Sequence, residues 1–372
     1  MSTPSDRAAE RDREADAKEA ERRREEYERA EQAHRKMEHE RAERASEAAT
    51  TSSVTPSSAP PPPLPLTAPP PVETRRVGEL TVHAIYAGVQ RLDGGAMFGV
   101  VPKPLWERRI VPDARNRIPL AMRCLLVEHP AGLVLVDTGI GSKEPVKFRD
   151  LYGIENLGAD GGTWLEEGLR ALGRAPEDVA VVINTHLHFD HAGGNTRRGS
   201  DDELLPSFPN ARYVVQNGEY HYATHTNERT AASYLPDNFV PLHERGVLDE
   251  VVGETEILPG IAVIPTPGHT PFHQSVLLSS GGERLCFLGD VVPTSAHLPL
   301  PWIMGYDVEP LVTLESKRWL LRRAQEEGWT VVFEHDPTVG FGRVVHDGKA
   351  YALEARAPAS VARPAGGGPE RG

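Results

Sequence analysis

Short runs of Val, Ile and Leu recur through the middle of the chain and predict β-strands, since each run is bounded by turn-forming residues. In the first half of this region the runs cover 80–86, 120–127, 133–136, 179–183 and 211–215. In the second half they cover 261–265, 275–278, 285–288, 331–333 and 349–353.

Helical periodicity is found in two segments, 163–172 and 309–327, which end at Gly173 and Gly328. A glycine directly after a periodic segment is typical of a helix C-terminus. Strands outnumber helices, and clusters of strands are followed by single helices. This order predicts an α/β fold of two sheets packed face to face with helices outside.

The composition of both ends of the chain is not typical of a segment with a packed hydrophobic core. Residues 1–48 are almost wholly Glu, Arg, Ala, Asp and Lys, which predicts a charged helical or disordered arm. Residues 49–76, rich in Pro, Ser and Thr, are a predicted linker, and 357–372 a disordered tail. The globular domain is therefore expected at 77–356. The arm is a candidate site for a protein partner, unless translation starts at Met37.

Charge and hydropathy limit the partners. With 41 basic and 54 acidic residues the net charge is -13, which disfavours nucleic acid as a substrate. No apolar run approaches the roughly 18 residues of a membrane span, and the charged N-terminus is unlike a signal peptide, so we expect no membrane partner and a cytoplasmic location. The cysteines, Cys124 and Cys286, lie in apolar runs and are predicted to be buried free thiols. The oligomeric state is left open.

The hexapeptide 186–191, His-Leu-His-Phe-Asp-His, follows the predicted strand 179–183 and contains four potential metal ligands in six residues. Core packing does not explain this density. Three imidazoles and a carboxylate can provide ligands for two adjacent metal ions and leave a coordination position for water. The hexapeptide therefore predicts a metal-dependent hydrolase with His186, His188, Asp190 and His191 as ligands.

Four further candidates follow predicted strands. Asp137 could orient a ligand imidazole, although its Gly-rich setting also suits a turn. His269 lies in a Pro-Gly turn, where a surface histidine is the alternative. Asp290 could bridge two cations, although a structural role is common for an Asp at a strand end. His335 follows the predicted strand 331–333.

This ordered series resembles the metallo-β-lactamase fold superfamily, whose hydrolases carry these five motifs in an αββα sandwich. The resemblance covers about 80–345. It implies that His186, His188 and His269 hold one metal ion. It implies that Asp190, His191 and His335 hold the other. Asp290 matches the bridging carboxylate, and Asp137 matches the structural aspartate beside the site.

The resemblance also implies a cofactor and a mechanism. Two Zn²⁺ ions are expected, with Mn²⁺, Fe²⁺ or Co²⁺ as alternatives. A hydroxide that bridges the metals would attack the carbonyl carbon of an ester. Asp190 is a candidate catalytic residue, since its carboxylate could hold this hydroxide and carry a proton to the leaving group.

Within the superfamily, the segment 266–275 is similar to that of acyl-homoserine lactone lactonases, so a lactone is the expected substrate. Lactonases of that kind place a tyrosine three residues after the bridging aspartate, whereas this chain has Pro293. Tyr306, His297 or a metal ion would have to replace that tyrosine. Apolar residues near the motifs predict a small, uncharged, partly hydrophobic substrate, and those considered as pocket walls are Met97, Phe98, Trp106, Phe272, Trp302 and Met304.

Two alternatives remain open from the sequence. The same kind of centre could hydrolyse a phosphotriester or phosphodiester, although no basic cluster lies beside the motifs. Alternatively, the chain could be a binding or scaffold protein, in which the metal ions only stabilise the fold. His273, four residues after His269, is expected to hydrogen-bond within its loop rather than to bind metal.

Overall fold

The computed structural model describes residues 72–158 and 160–354, and every structural statement below refers to these residues. The strands are β1 (Val72–Val77), β2 (Leu80–Asp93), β3 (Arg117–His129), β4 (Gly132–Val136), β5 (Val179–Ile183), β6 (Thr196–Arg198), β7 (Leu204–Pro206), β8 (Arg212–Gln216), β9 (Leu248–Val251), β10 (Thr255–Leu258), β11 (Ile261–Pro265), β12 (Gln274–Ser280), β13 (Glu283–Phe287), β14 (Thr330–Val332), β15 (Phe341–His346) and β16 (Tyr351–Leu353). The α-helices are α1 (Gly94–Phe98), α2 (Lys103–Trp106), α3 (Val146–Leu151), α4 (Trp164–Ala171), α5 (Phe189–Ala192), α6 (Asn217–Thr224), α7 (Val240–Glu244) and α8 (Pro310–Glu326).

Two mixed sheets of seven strands form the centre of the fold. The first has the strand order β1-β2-β3-β4-β5-β8-β9, and the second has the order β10-β11-β12-β13-β14-β15-β16. The pairs β4–β5, β5–β8, β8–β9 and β13–β14 are parallel, and the other pairs within these two sheets are antiparallel. A small third sheet pairs β6 with β7.

Alternating apolar positions of both sheets meet in one buried layer. Val82, Leu125 and Ile183 of the first sheet belong to the same core cluster as Val276 and Phe287 of the second. The sheets therefore pack face to face, because each presents its alternate apolar side chains to the other.

The outer faces of the two sheets are covered by helices. Leu165 and Leu169 of α4 are buried in a cluster with residues of the first sheet, and a capping box between Thr163 and Glu166 starts this helix. Leu320 and Leu321 of α8 pack in the corresponding cluster on the second sheet. The four layers form an αββα sandwich, which confirms the predicted fold class.

Some elements differ from the sequence prediction. β1 starts at Val72, inside the segment expected to be a linker, because its residues pair with β2 from Val72↔Ile85 to Val77↔Leu80. Residues 1–71 and 355–372, which contain the predicted arm, most of the linker and the whole predicted tail, lie outside the described residues. In the described part, no helix combines the length and apolar composition that a membrane crossing needs. Cys124 and Cys286 are buried free thiols, as predicted.

Candidate metal centre

The candidate residues follow five strands whose ends meet at one edge of the sandwich. Asp137 directly follows β4, the hexapeptide 186–191 follows β5, His269 follows β11, Asp290 follows β13, and His335 follows β14. Since β4 and β5 are parallel neighbours, as are β13 and β14, their C-terminal loops leave on the same side.

Two glycines allow their loops to present a ligand side chain. Gly268 precedes His269 with a φ of 131°, and a Cβ at this position would lie 2.2 Å from the backbone nitrogen of Thr313. Gly289 precedes Asp290 with a φ of 58°, and a Cβ there would lie 2.6 Å from Nε2 of His273. Both positions therefore need a residue without a side chain.

Three histidines form the first group of the site. Nε2 of His269 lies 3.1 Å from Nδ1 of His188. One nitrogen of each of His186, His188 and His269 lies within 4.8 Å of the others. Nε2 of His186 is buried and has no hydrogen-bond partner. Ring nitrogens thus converge on one point from two loops.

Asp190, His191 and His335 form the second group. Nε2 of His335 lies 3.2 Å from Nε2 of His191. Oδ2 of Asp190 lies 3.7 Å from Nε2 of His191 and 3.6 Å from Nε2 of His335. The amide of Gln90 on β2 donates a short hydrogen bond to the same Asp190 oxygen, so this buried glutamine fixes the carboxylate.

The Asp290 carboxylate lies between the two groups. Its Oδ2 is 3.1 Å from Nε2 of His269, and its Oδ1 is 3.0 Å from Nε2 of His335. One oxygen therefore faces each group, which is the arrangement expected of a carboxylate shared by two cations.

A second set of groups fixes the orientation of the imidazoles. Asp137, whose backbone has a φ of 53°, accepts hydrogen bonds from the backbone and hydroxyl of Thr185, and its Oδ2 lies 3.1 Å from Nδ1 of His191. Nδ1 of His335 lies 2.7 Å from the carbonyl oxygen of Ala121. These contacts leave the Nε2 atoms of His191 and His335 facing the centre.

Glu334 adds a further buried carboxyl group beside His191. Its Oε1 lies 3.1 Å from Nδ1 of His191, and neither oxygen has a partner of hydrogen-bond geometry. Burial raises the pKa of Glu334 to about 8. The sequence analysis predicted His335 as a metal ligand but gave no role to the glutamate directly before it.

Burial and charge divide the imidazoles into two kinds. Burial lowers the pKa of His186 and His188 well below the ordinary value, which keeps both rings neutral. Burial also acts to lower the pKa of His335, but Asp290 and Glu334 raise it to about 9. In the first group, burial also acts to lower the pKa of His269, but Asp290 and Asp307 raise it above the ordinary value. The Asp290 carboxylate thus favours positive charge at the imidazole that it faces in each group.

The donor set fits divalent metal ions. Neutral imidazoles are the form that binds a cation, and the unpartnered Nε2 of His186 is a donor without a protein partner. Asp290 places a carboxylate oxygen beside each group, which offsets cationic charge. Asp137, His191 and Glu334 also lie close enough together to hold a metal ion. In this group, Nδ1 of His191 already faces both carboxyl groups.

Comparison with known proteins agrees with this geometry. The sequence profile described as the Metallo-beta-lactamase superfamily matches residues 119–335, which is more than half of the chain. This chain belongs to the metallo-beta-lactamase superfamily.

The relatives include hydrolases with named substrates. An N-acyl homoserine lactonase from Bacillus cereus is 32% identical over 232 residues, which cover 59% of this chain and 83% of that protein. A crystal structure of a probable metal-dependent hydrolase from Staphylococcus aureus has a TM-score of 0.69 and 28% identity, and the match covers 75% of this chain and 99% of that one. AidC, a dizinc quorum-quenching lactonase, has a TM-score of 0.65 over 78% of this chain and 98% of that chain, and at 18% identity it supports the fold alone.

The superfamily resemblance and the identification as a metal-dependent hydrolase are thereby confirmed. The scaffold alternative does not agree with a chain whose relatives are lactonases. The structure brings all seven predicted ligands together and places Asp137 beside them. Their role as ligands of two metal ions remains a prediction.

Three other polar residues of the site were not identified from the sequence. Asp307 lies 2.8 Å from Nδ1 of His269, Gln90 is on β2, and Glu219 is on α6. Asp307 follows no predicted strand, and Gln90 lies beyond the end of the predicted strand 80–86. Glu219 lies four residues after the predicted strand 211–215 but was not considered as a site residue. The sequence carried no signal that separates these residues from ordinary polar side chains.

His273 has the role predicted for it. Nδ1 of His273 faces the hydroxyl of Thr266 at 2.9 Å, and its Nε2 accepts the backbone N–H of Asp290 at 3.0 Å. Burial lowers its pKa to about 3, so the ring is neutral. This histidine therefore fixes the loop that carries Asp290.

One suggested replacement for the tyrosine of lactonases is wrong. Nε2 of His297 lies 2.8 Å from the carbonyl oxygen of Met97, and its Nδ1 lies 2.7 Å from the hydroxyl of Thr294. Both ring nitrogens are thus engaged, which leaves none to polarise a substrate. Tyr306 is 38% exposed. Its partial burial raises the pKa of its hydroxyl group to about 12, and the nearby charges of Asp93 and Asp190 act in the same direction.

Several predicted pocket walls belong instead to a packed cluster. Met97, Phe98 and Trp106 are almost completely buried, and they form a cluster with Met304. Phe98 stacks on Trp106 at 5.3 Å between centroids, so these side chains pack the loop against the sheet. Phe272, which is 44% exposed, is available at the surface.

Proposed function

We propose that this metal-dependent hydrolase holds two divalent metal ions and opens a lactone ring. The observation that carries the proposal is the convergence of the two groups on the Asp290 carboxylate, with 3.1 Å to His269 and 3.0 Å to His335. The B. cereus lactonase at 32% identity supports the lactone as the substrate class.

In this proposal each ion has three ligands of its own. One ion is held by His186, His188 and His269. The other is held by Asp190, His191 and His335, and Asp290 is shared. Zinc is the proposed ion because imidazoles dominate both sets. Two bound divalent ions would make water acidic enough to act as a nucleophile near neutral pH and would polarise the ester carbonyl.

Asp190 is also proposed to transfer a proton during the reaction. Gln90 fixes its carboxylate from the side of the first sheet, and the side chain is only slightly exposed. In the proposed reaction, the carboxylate takes the proton of the attacking water as the new C–O bond forms. The ring C–O bond then breaks, and Asp190 returns the proton to the leaving oxygen.

The substrate is proposed to be small, uncharged and partly hydrophobic. Phe272 lies three residues after His269, and Tyr306 directly precedes Asp307, which binds His269. Both aromatic side chains are partly exposed, at 44% and 38%. In the proposal, they offer apolar surface to the substrate. A cytoplasmic location remains part of this proposal.

The test combines metal analysis with a substrate panel. Purified protein is expected to contain two metal ions per chain and to hydrolyse lactones faster than aryl esters, thioesters or phosphoesters. His188→Ala should abolish turnover while circular dichroism shows a folded chain. Faster cleavage of phosphotriesters or phosphodiesters would favour the phosphoesterase alternative, and metal-loaded protein inert to all four classes would refute the proposed function.

A further inference from the structure

Glu219 on α6 is a completely buried carboxylate that the proposed reaction does not use. Burying a carboxyl group costs free energy unless hydrogen bonds compensate. The hydrogen-bond partners of Glu219 therefore indicate why a carboxyl group is buried at this position.

All three hydrogen bonds to Glu219 come from segments that surround the three-histidine group. Its Oε1 accepts the backbone N–H of Leu187 at 3.1 Å, and its Oε2 accepts the hydroxyl of Thr270 at 2.7 Å. Leu187 lies between His186 and His188 in the chain, and Thr270 directly follows His269. One carboxylate thus joins the two loops that carry this group.

The third partner acts on the ring of His188. Oε1 of Glu219 also accepts the hydroxyl of Tyr234 at 2.9 Å. The ring of Tyr234 packs edge-on against the ring of His188, with 4.6 Å between centroids. Glu219 therefore restrains His188 in two ways, through the hydrogen bond that fixes Tyr234 and through the backbone N–H of Leu187.

The second group is fixed by different residues. Gln90 contacts Asp190, Asp137 and Glu334 lie beside His191, and the carbonyl of Ala121 faces His335. The described hydrogen bonds of Glu219 come from Leu187, Thr270 and Tyr234, which adjoin or pack on the three histidines. None of them comes from a residue next to Asp190, His191 or His335 in the chain. Loss of its carboxylate should accordingly affect one metal position and spare the other.

We propose that Glu219 is a positioning residue for the metal ion held by His186, His188 and His269. The inference rests on the proposed function, since it takes that group as an ion site. In Glu219→Gln, one of the two acceptor oxygens becomes an amide nitrogen, so the group that faces this nitrogen can no longer donate to residue 219, and the negative charge is lost. Because groups that orient metal ligands contribute about 10- to 100-fold in metal affinity, we expect a loss of this size at this position alone.

The experiment separates the two ion positions by competition of zinc with a fluorescent chelator. In a His335→Ala chain, which keeps the three-histidine group, adding Glu219→Gln should weaken zinc binding about 10- to 100-fold. In a His188→Ala chain, which keeps the second group, adding Glu219→Gln should leave zinc affinity within about twofold. Equal losses in both chains would overturn the inference, since they would indicate a general packing role.

Further variants guard against a simple folding defect. Thr270→Val removes one donor and keeps the carboxylate, so it should weaken zinc binding in the same direction by a smaller factor. Unchanged zinc affinity in both Thr270→Val and Glu219→Gln would also overturn the inference. The matched control is Glu228→Gln, the same change at an exposed position. If the unaltered chain binds fewer than two ions, the proposed function fails, whereas the role of Glu219 is still decided in the His335→Ala chain.

Discussion

Oδ1 of Asp307 lies 2.8 Å from Nδ1 of His269, and both side chains are buried. The imidazole therefore donates its Nδ1–H to the carboxylate and presents Nε2 to His188 and Asp290. A carboxylate in this position fixes the tautomer and the direction of the ring, and it makes the imidazole a stronger electron donor.

Asp307→Asn should weaken metal binding because the amide keeps the shape but loses the charge that supports His269. We expect zinc affinity to fall by about 10- to 100-fold. The measurement is the zinc retained per chain after dialysis against a series of chelator concentrations. Glu309→Gln, two residues away and exposed, is the control. Identical retention by Asp307→Asn and the unaltered chain would show that the contact does not support the site.

Gly268→Ala should damage the fold at the loop that carries His269. The φ of 131° is unfavourable for alanine, and its Cβ would lie 2.2 Å from the backbone nitrogen of Thr313. Overpacking of this kind costs about 1–3 kcal/mol in addition to backbone strain of about 1–3 kcal/mol. Urea unfolding should show a lower free energy of unfolding, together with loss of bound metal.

Gly246→Ala is the matched control for that substitution. Gly246 also has a positive φ, 69°, but nothing lies within 4 Å of the added Cβ. Its cost should be limited to the backbone strain, about 1–2 kcal/mol, and metal binding should be unaffected. Equal destabilisation by the two substitutions would mean that the loop around Gly268 moves aside without cost.

The strand-end ligands could be predicted from sequence because both parts of their placement are local. A run such as 179–183 predicts a strand, and the hexapeptide after it must lie at that strand's end. The face-to-face sheets follow from alternation, since side chains such as Val82 and Val276 need an apolar partner layer. Local pattern therefore gave the layers and the seven candidate ligands.

The groups that support the ligands could not be predicted in this way. Asp307 and His269 are 38 positions apart, and Gln90 and Asp190 are 100 apart. Each contact arises only when segments that are distant in the sequence fold beside one another, so no periodicity or spacing predicts it. Glu219 resembles any polar residue of a short helix until Leu187 and Thr270 are found against it.

Lys317 on α8 should make stability depend on pH. This almost completely buried lysine donates to the carbonyl oxygens of Pro299 at 2.9 Å and Trp302 at 2.7 Å. Burial lowers its pKa from 10.5 to about 7, with a smaller opposing effect from Asp307. Between these two values the unfolded chain keeps a proton that the folded chain releases, so the folded state gains stability as pH rises.

The measurement compares urea unfolding of the unaltered chain and Lys317→Met at several pH values, with metal content held equal. The difference in free energy of unfolding should be flat below about pH 7 and should shift in favour of the unaltered chain up to about pH 10. The slope can reach about 1.4 kcal/mol per pH unit. Parallel curves would show that the carbonyl oxygens keep the lysine charged in the folded protein.

Removal of residues 1–71 should leave metal content and activity intact, because the first sheet begins with β1 at Val72. A chain that begins at Gly78 instead loses β1, which exposes the edge of β2 and removes the buried Val77 from the core between the sheets. We expect a lower melting temperature for this shorter chain and unchanged turnover for the chain that begins at Val72. Both are measured by thermal unfolding and by the ester panel. Loss of metal or activity in the chain that begins at Val72 would show that the charged arm contributes to the catalytic domain.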